Sequence, residues 1–224
     1  MRAAHALAAL ALVLGACSAV VTPSVREGAL RYVALGDSFT IGTSVSEADS
    51  WPSQLVARVP ALQLAANLGV NGYTSGDLVA DELPALAGLR PEFVTVMIGV
   101  NDVVQGLPED AYRANLQEIL DTVVALVPAN RVLCVATPDY TVTPQGSAFG
   151  SPQQQRAAIQ RVNQLLRDAC SARGINYVPA IFAISESAAT DLSLVAGDGL
   201  HPSGGQYKRW VDAIQPVVEA LLAG

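Results

Sequence analysis

Histidine is all but missing from this chain of 224 residues, which carries it at His5 and His201 alone. Cysteine occurs three times, and 13 basic residues are outnumbered by 20 acidic ones, for a formal charge of −7. Each shortage excludes a class of function. His5 falls in a segment that reads as a removable leader, so His201 stands alone and zinc sites built from two or three imidazoles are ruled out. The thiols are too few, and too far from acids in motif spacing, to take their place; no metal is expected. The lack of positive charge argues against a nucleic-acid partner and against adhesion to anionic lipid by charge. The apolar run from Ala6 to Leu14 is too short and too one-sided for a membrane span. Missing too are the Gly-x-Ser-x-Gly elbow, the Gly-x-x-x-x-Gly-Lys phosphate loop and, at residues 69–76, the Gly-x-Gly-x-x-Gly pattern.

What is present begins with that leader. Arg2, the apolar run and the small residues of Leu14-Gly15-Ala16 read as a secretory signal over residues 1–16. Cys17, directly after them, resembles the bacterial lipobox, whose cysteine becomes the lipidated first residue. Two outcomes stay open: an exported protein held on the cell membrane by lipid, or an ordinary signal peptide with an incidental cysteine and a secreted product. Without Arg2, 12 basic residues face 20 acidic ones, a charge of −8. Residues 17–28 show no periodicity and read as a tether. Residues 29–224 then make a single domain, with no room for a second. In an oxidising compartment Cys134 and Cys170 either pair or pack as two small buried side chains.

From Leu30 onward, short apolar runs alternate with longer stretches of helical periodicity. The runs are Arg31 to Leu35, Leu62 to Leu68, Phe93 to Ile98, Arg131 to Ala136 and Ile175 to Val178, nearly continuous as in strands buried on both faces. Helical spacing covers residues 51–59, 75–89, 108–127, 153–173 and 203–222, with starts marked at Ser151-Pro152 and His201-Pro202-Ser203. Strict alternation implies a parallel sheet with helices on both faces. Such sheets bind ligands beyond the carboxyl ends of their strands. The segments leaving the strands therefore matter most: Gly36-Asp37-Ser38, Gly69-Val70-Asn71-Gly72, Gly99-Val100-Asn101-Asp102, a Pro/Gly/Ser-rich loop to Pro152, and an irregular stretch ending in Asp198-Gly199-Leu200-His201.

Asp198 lies three residues ahead of His201, close enough for its carboxylate to reach Nδ1, fix the tautomer and leave Nε2 as a base. Ser38 is the hydroxyl best placed for that base to deprotonate, because a tight Gly36-Asp37 turn would expose it at the end of the first strand. Taken alone, Gly-Asp-Ser is also what an ordinary turn and helix cap look like. An oxyanion needs donors as well. The Gly72 N–H, the Asn101 carboxamide and the Ser38 amide can supply them.

Gly36-Asp37-Ser38, Asn67 with Gly72, Gly99-x-Asn101-Asp102 and Asp198-x-x-His201 resemble, in order, the sequence blocks of the GDSL/SGNH hydrolase family. They span most of the mature domain. The resemblance implies a flavodoxin-like three-layer α/β/α sandwich with a five-stranded parallel sheet. It implies Ser38 as nucleophile, a triad completed by Asp198 and His201, and an oxyanion hole of the Ser38 amide, Gly72 and Asn101. Phe39 stands where the family name has leucine, which bears on packing or pocket shape. The expected chemistry is hydrolysis of carboxylic esters through an acyl-enzyme, with no cofactor. Short-chain esters, acetylated sugars, lysophospholipids or other cell-envelope esters are all possible substrates for what is expected to be a monomer. Tyr73, Val103, Tyr140 and Phe149 either line an acyl or alcohol pocket or simply pack. Two other functions remain compatible with these residues: a catalytically silent carbohydrate-binding module on the same fold, and an O-acyltransferase using the same triad.

Overall fold

A computed structural model describes residues 26–224. The leader at 1–16, Cys17 and the tether up to residue 25 lie outside the described residues. The last tether residues are already docked: the Arg26 N–H donates to Gln63 Oε1 at 2.6 Å, and its guanidinium to the Leu62 carbonyl.

Five strands, β1 (Leu30–Gly36), β2 (Leu62–Asn67), β3 (Phe93–Met97), β4 (Val132–Val135) and β5 (Asn176–Val178), form one sheet in the order β2-β1-β3-β4-β5. Every pairing is parallel. This is the doubly wound order in which the chain reverses direction across the sheet beside β1, opening a crevice between the ends of β1 and β3. The central strands are apolar on both faces and fully buried, from Tyr32 to Leu35, at Val94 and Val96, and from Val132 to Val135. The edge strands depart from expectation. β2 and β5 are only partly buried along most of their length, because an edge strand is covered on fewer sides.

The helices are α1 (Ser38–Ile41), α2 (Trp51–Arg58), α3 (Ser75–Asp77), α4 (Leu83–Leu89), α5 (Val100–Val104), α6 (Glu109–Leu126), α7 (Pro152–Ser171), α8 (Ala180–Ser185) and α9 (Gly204–Ala223). α2, α8 and α9 pack together on one face of the sheet, and α4, α6 and α7 on the other. Trp51 of α2 and Trp210, Val211, Ile214 and Val218 of α9 are wholly buried between them. At roughly 2 kcal/mol per buried large apolar side chain, this contact alone outweighs any local propensity of α9. Ser203 starts α9 as expected, its hydroxyl accepting from the Gln206 N–H. Ser151 does not cap α7 with its side chain, which turns instead to Gln153; Pro152 in the first turn sets the start. α5 and α8 were unforeseen, being too short to show a period. The segment expected as one helix over 75–89 is broken in the middle by a π-helical turn, Leu78–Glu82.

Cys134 of β4 and Cys170 of α7 are joined by a disulfide, and both residues are fully buried.

Candidate active site

Ser38 sits at the first position of α1, where strand β1 turns abruptly into helix. Asp37 caps that helix by accepting the Phe39 N–H at 3.0 Å, and Gly42 in the left-handed region closes it after one turn. The Ser38 N–H is the first of the helix and has no acceptor inside it. Gly36 is required here: a Cβ would lie 2.3 Å from the Met97 carbonyl oxygen. Its N–H donates to Glu82 Oε2 at 2.9 Å, so the π-helical turn braces the strand end that feeds the serine. Asn67 braces the other side, donating to the Thr40 carbonyl at 2.8 Å and accepting from the Gly69 N–H.

The loop after β2 and the short helix α5 after β3 bring Gly72 and Asn101 to the same pocket. Gly72 has φ of +81°, and nothing crowds the site of its missing Cβ. Asn101 Nδ2 donates to the Tyr73 carbonyl at 2.9 Å. That uses one of its two hydrogens and leaves the second for a ligand. Asp102 behind it is buried and accepts from both the N–H and the hydroxyl of Ser75, locking the β3 loop to the start of α3.

On the opposite wall, Asp198 Oδ2 is 2.6 Å from His201 Nδ1, and Asp198 Oδ1 accepts the Leu200 and His201 N–H groups at 2.9 and 3.0 Å. The imidazole packs on Phe39, with ring centroids 5.0 Å apart. The phenyl group that replaces the family's leucine thus forms a platform for the base. Sequence reading did not single out Ser44, whose hydroxyl donates to Asp198 Oδ2 at 2.7 Å.

Ser38, Gly72, Asn101 and His201 all line one pocket of about 190 Å³. Its apolar wall comes from Val100, Val104, Tyr140, Phe149 and Leu200. Tyr140 and Phe149 meet edge to face at 5.7 Å in the loop after β4. The Gln145 N–H pins that loop to the Gly199 carbonyl. Tyr73 and Val103 lie outside this pocket: the Tyr73 hydroxyl reaches Asp81, and Val103 packs on the core. Ser38 Oγ makes no hydrogen bond to any described residue. Catalytic pairs are commonly long or misaligned before a substrate seats, so this geometry is compatible with a nucleophile and base.

Electrostatically the site is divided. Behind Ser38, burial pushes the Asp37 carboxyl up to about 7, opposed by the Phe39 N–H and reinforced by Asp102. Burial likewise pushes Glu82 up to about 9 and raises Asp102. On the His201 side the balance is reversed. Burial would raise Asp198, but hydrogen bonds from Ser44, His201 and the backbone outweigh it and hold the carboxyl below its ordinary range. An ionised acid therefore orients the imidazole.

Residues 34–209 match the GDSL-like Lipase/Acylhydrolase family. An arylesterase from Vibrio mimicus is 29% identical over 119 residues, 51% of this chain and 56% of that protein, so the match spans only about half of that curated relative. Among solved structures, an acetylxylan esterase from Geobacillus stearothermophilus superposes with a TM-score of 0.67 at 18% identity, covering 85% of this chain and 95% of its own. LAE5, an alpha/beta hydrolase enzyme from a Spanish lake metagenome, gives 0.63 at 22% identity, with 86% and 96% covered. At these identities the structural likeness speaks for the fold.

Proposed function

The chain belongs to the GDSL-like lipase/acylhydrolase family, and from that premise we propose that it is a serine esterase in which Ser38 attacks, His201 is the base and Asp198 orients it. The observation that carries this reading is the convergence of Ser38, Gly72, Asn101 and His201 on one pocket, with Asp198 bonded to the far nitrogen of the imidazole. His201 Nε2 takes the Ser38 proton as Oγ adds to the ester carbonyl. The resulting oxyanion is held by the Ser38 and Gly72 N–H groups and the free carboxamide hydrogen of Asn101. His201 then protonates the leaving alcohol, and water hydrolyses the acyl-enzyme with the same groups in reversed roles.

An apolar cavity of about 150 Å³ holds a benzene ring, so the wall of Val100, Val104, Tyr140 and Phe149 suits a short acyl or aryl group. The names of the Vibrio arylesterase and the Geobacillus acetylxylan esterase support that class. Export through residues 1–16, with Cys17 as lipid anchor, belongs to the same proposal. The Cys134–Cys170 pair supports an oxidising compartment.

A fluorophosphonate probe, located by peptide mass, labels Ser38 in this reading, and Ser38→Ala abolishes both labelling and hydrolysis of nitrophenyl esters. Turnover in Ser38→Ala equal to that of the native protein refutes the nucleophile.

A further inference from the structure

Asp198 is approached by four donors, and one differs in origin from the rest. Three come from its own turn: the Leu200 N–H, the His201 N–H and His201 Nδ1. The fourth, the Ser44 hydroxyl at 2.7 Å, comes from the loop between α1 and α2, 154 residues away in sequence. That loop leaves the nucleophile helix only three residues before Ser44. The same carboxylate oxygen, Oδ2, receives both the imidazole and the hydroxyl. Ser44 also has φ of +67°, a left-handed backbone that side chains disfavour and glycine adopts freely. A serine kept in a conformation suited to glycine has a use for its side chain, and the hydrogen bond supplies one.

We propose that Ser44 is a positioning residue for the esterase reaction, fixing the Asp198–His201 pair against the loop that carries Ser38. The proposal rests on the triad assignment above.

The test uses Ser44→Gly and Ser44→Ala beside Ser38→Ala, with kcat and KM for nitrophenyl butyrate measured separately for each. Both Ser44 variants lose the hydroxyl, but only glycine relieves the backbone. The expected result in both variants is a fall in kcat of about 3- to 30-fold with little change in KM. A native kcat in Ser44→Gly, or a loss that appears in KM instead of kcat, with Ser38→Ala inactive, overturns this inference alone. Full activity in Ser38→Ala overturns the triad assignment beneath it.

Discussion

Replacing Glu82 by glutamine removes a buried acid while keeping an acceptor for the Gly36 N–H. In the native protein Glu82 is only 3% exposed, one carboxyl oxygen takes that N–H, and the other is buried without a partner. Burial, partly offset by the Gly36 N–H, pushes its pKa from 4.5 up to about 9. The folded chain therefore keeps a proton that the unfolded chain has lost, and Glu82 makes stability fall as pH rises between about 4.5 and about 9. At 1.36 kcal/mol per unit, the loss reaches about 3 kcal/mol by pH 7. Glutamine cannot titrate, so the stability of Glu82→Gln relative to the native protein should climb by about 1.4 kcal/mol for each pH unit between about 5 and about 8. Asp37 contributes its own slope up to about 7, but equally in both proteins. Urea unfolding followed by circular dichroism at a series of pH values measures the difference directly. Parallel curves would show that Glu82 ionises normally in the fold, and would sink the account of a neutral acid behind the nucleophile.

Two more outcomes are expected from the same geometry. Asn101→Ala removes a carboxamide aimed at the oxyanion and should cost about 3 kcal/mol of transition-state stabilisation, read as a fall of about a hundredfold in kcat for nitrophenyl esters; a fall below about threefold would remove Asn101 from the oxyanion hole. Replacing Cys134 and Cys170 together by alanine opens a loop of 36 residues and should destabilise the fold by about 4 kcal/mol in urea unfolding at neutral pH. A loss under about 1 kcal/mol would contradict a constraining disulfide.

The strands were legible because those in the middle of the sheet are apolar without interruption and each ends at a glycine or polar loop. Phe93 to Met97 differs from its expected span by a single residue. The segments leaving the strands, which hold Ser38, Gly72, Asn101 and His201, could be placed for the same reason: a parallel sheet puts all such segments at one edge. The π-helical turn at Leu78–Glu82 could not be read, since it is a single turn of five residues, too short to show a period of its own. α5 and α8, of five and six residues, are shorter than the window in which periodicity shows. Ser44 was invisible for a different reason. A serine in a loop of Gly, Thr, Ser and Val carries no signal of an acceptor 154 residues away, and the contact exists only once α1 and α9 are docked on the sheet.

The Asp198–His201 pair is closed by contacts within a dozen residues. Val195 bridges Pro202 in antiparallel fashion, the Ala196 N–H meets the His201 carbonyl at 2.7 Å, and the Ser203 N–H meets that of Leu194. Acid and base are thus assembled as a small prefabricated hairpin of low contact order, whereas the nucleophile joins them only across the whole span of the chain. Damage to the sheet would therefore silence the protein by parting the nucleophile from its acid and base.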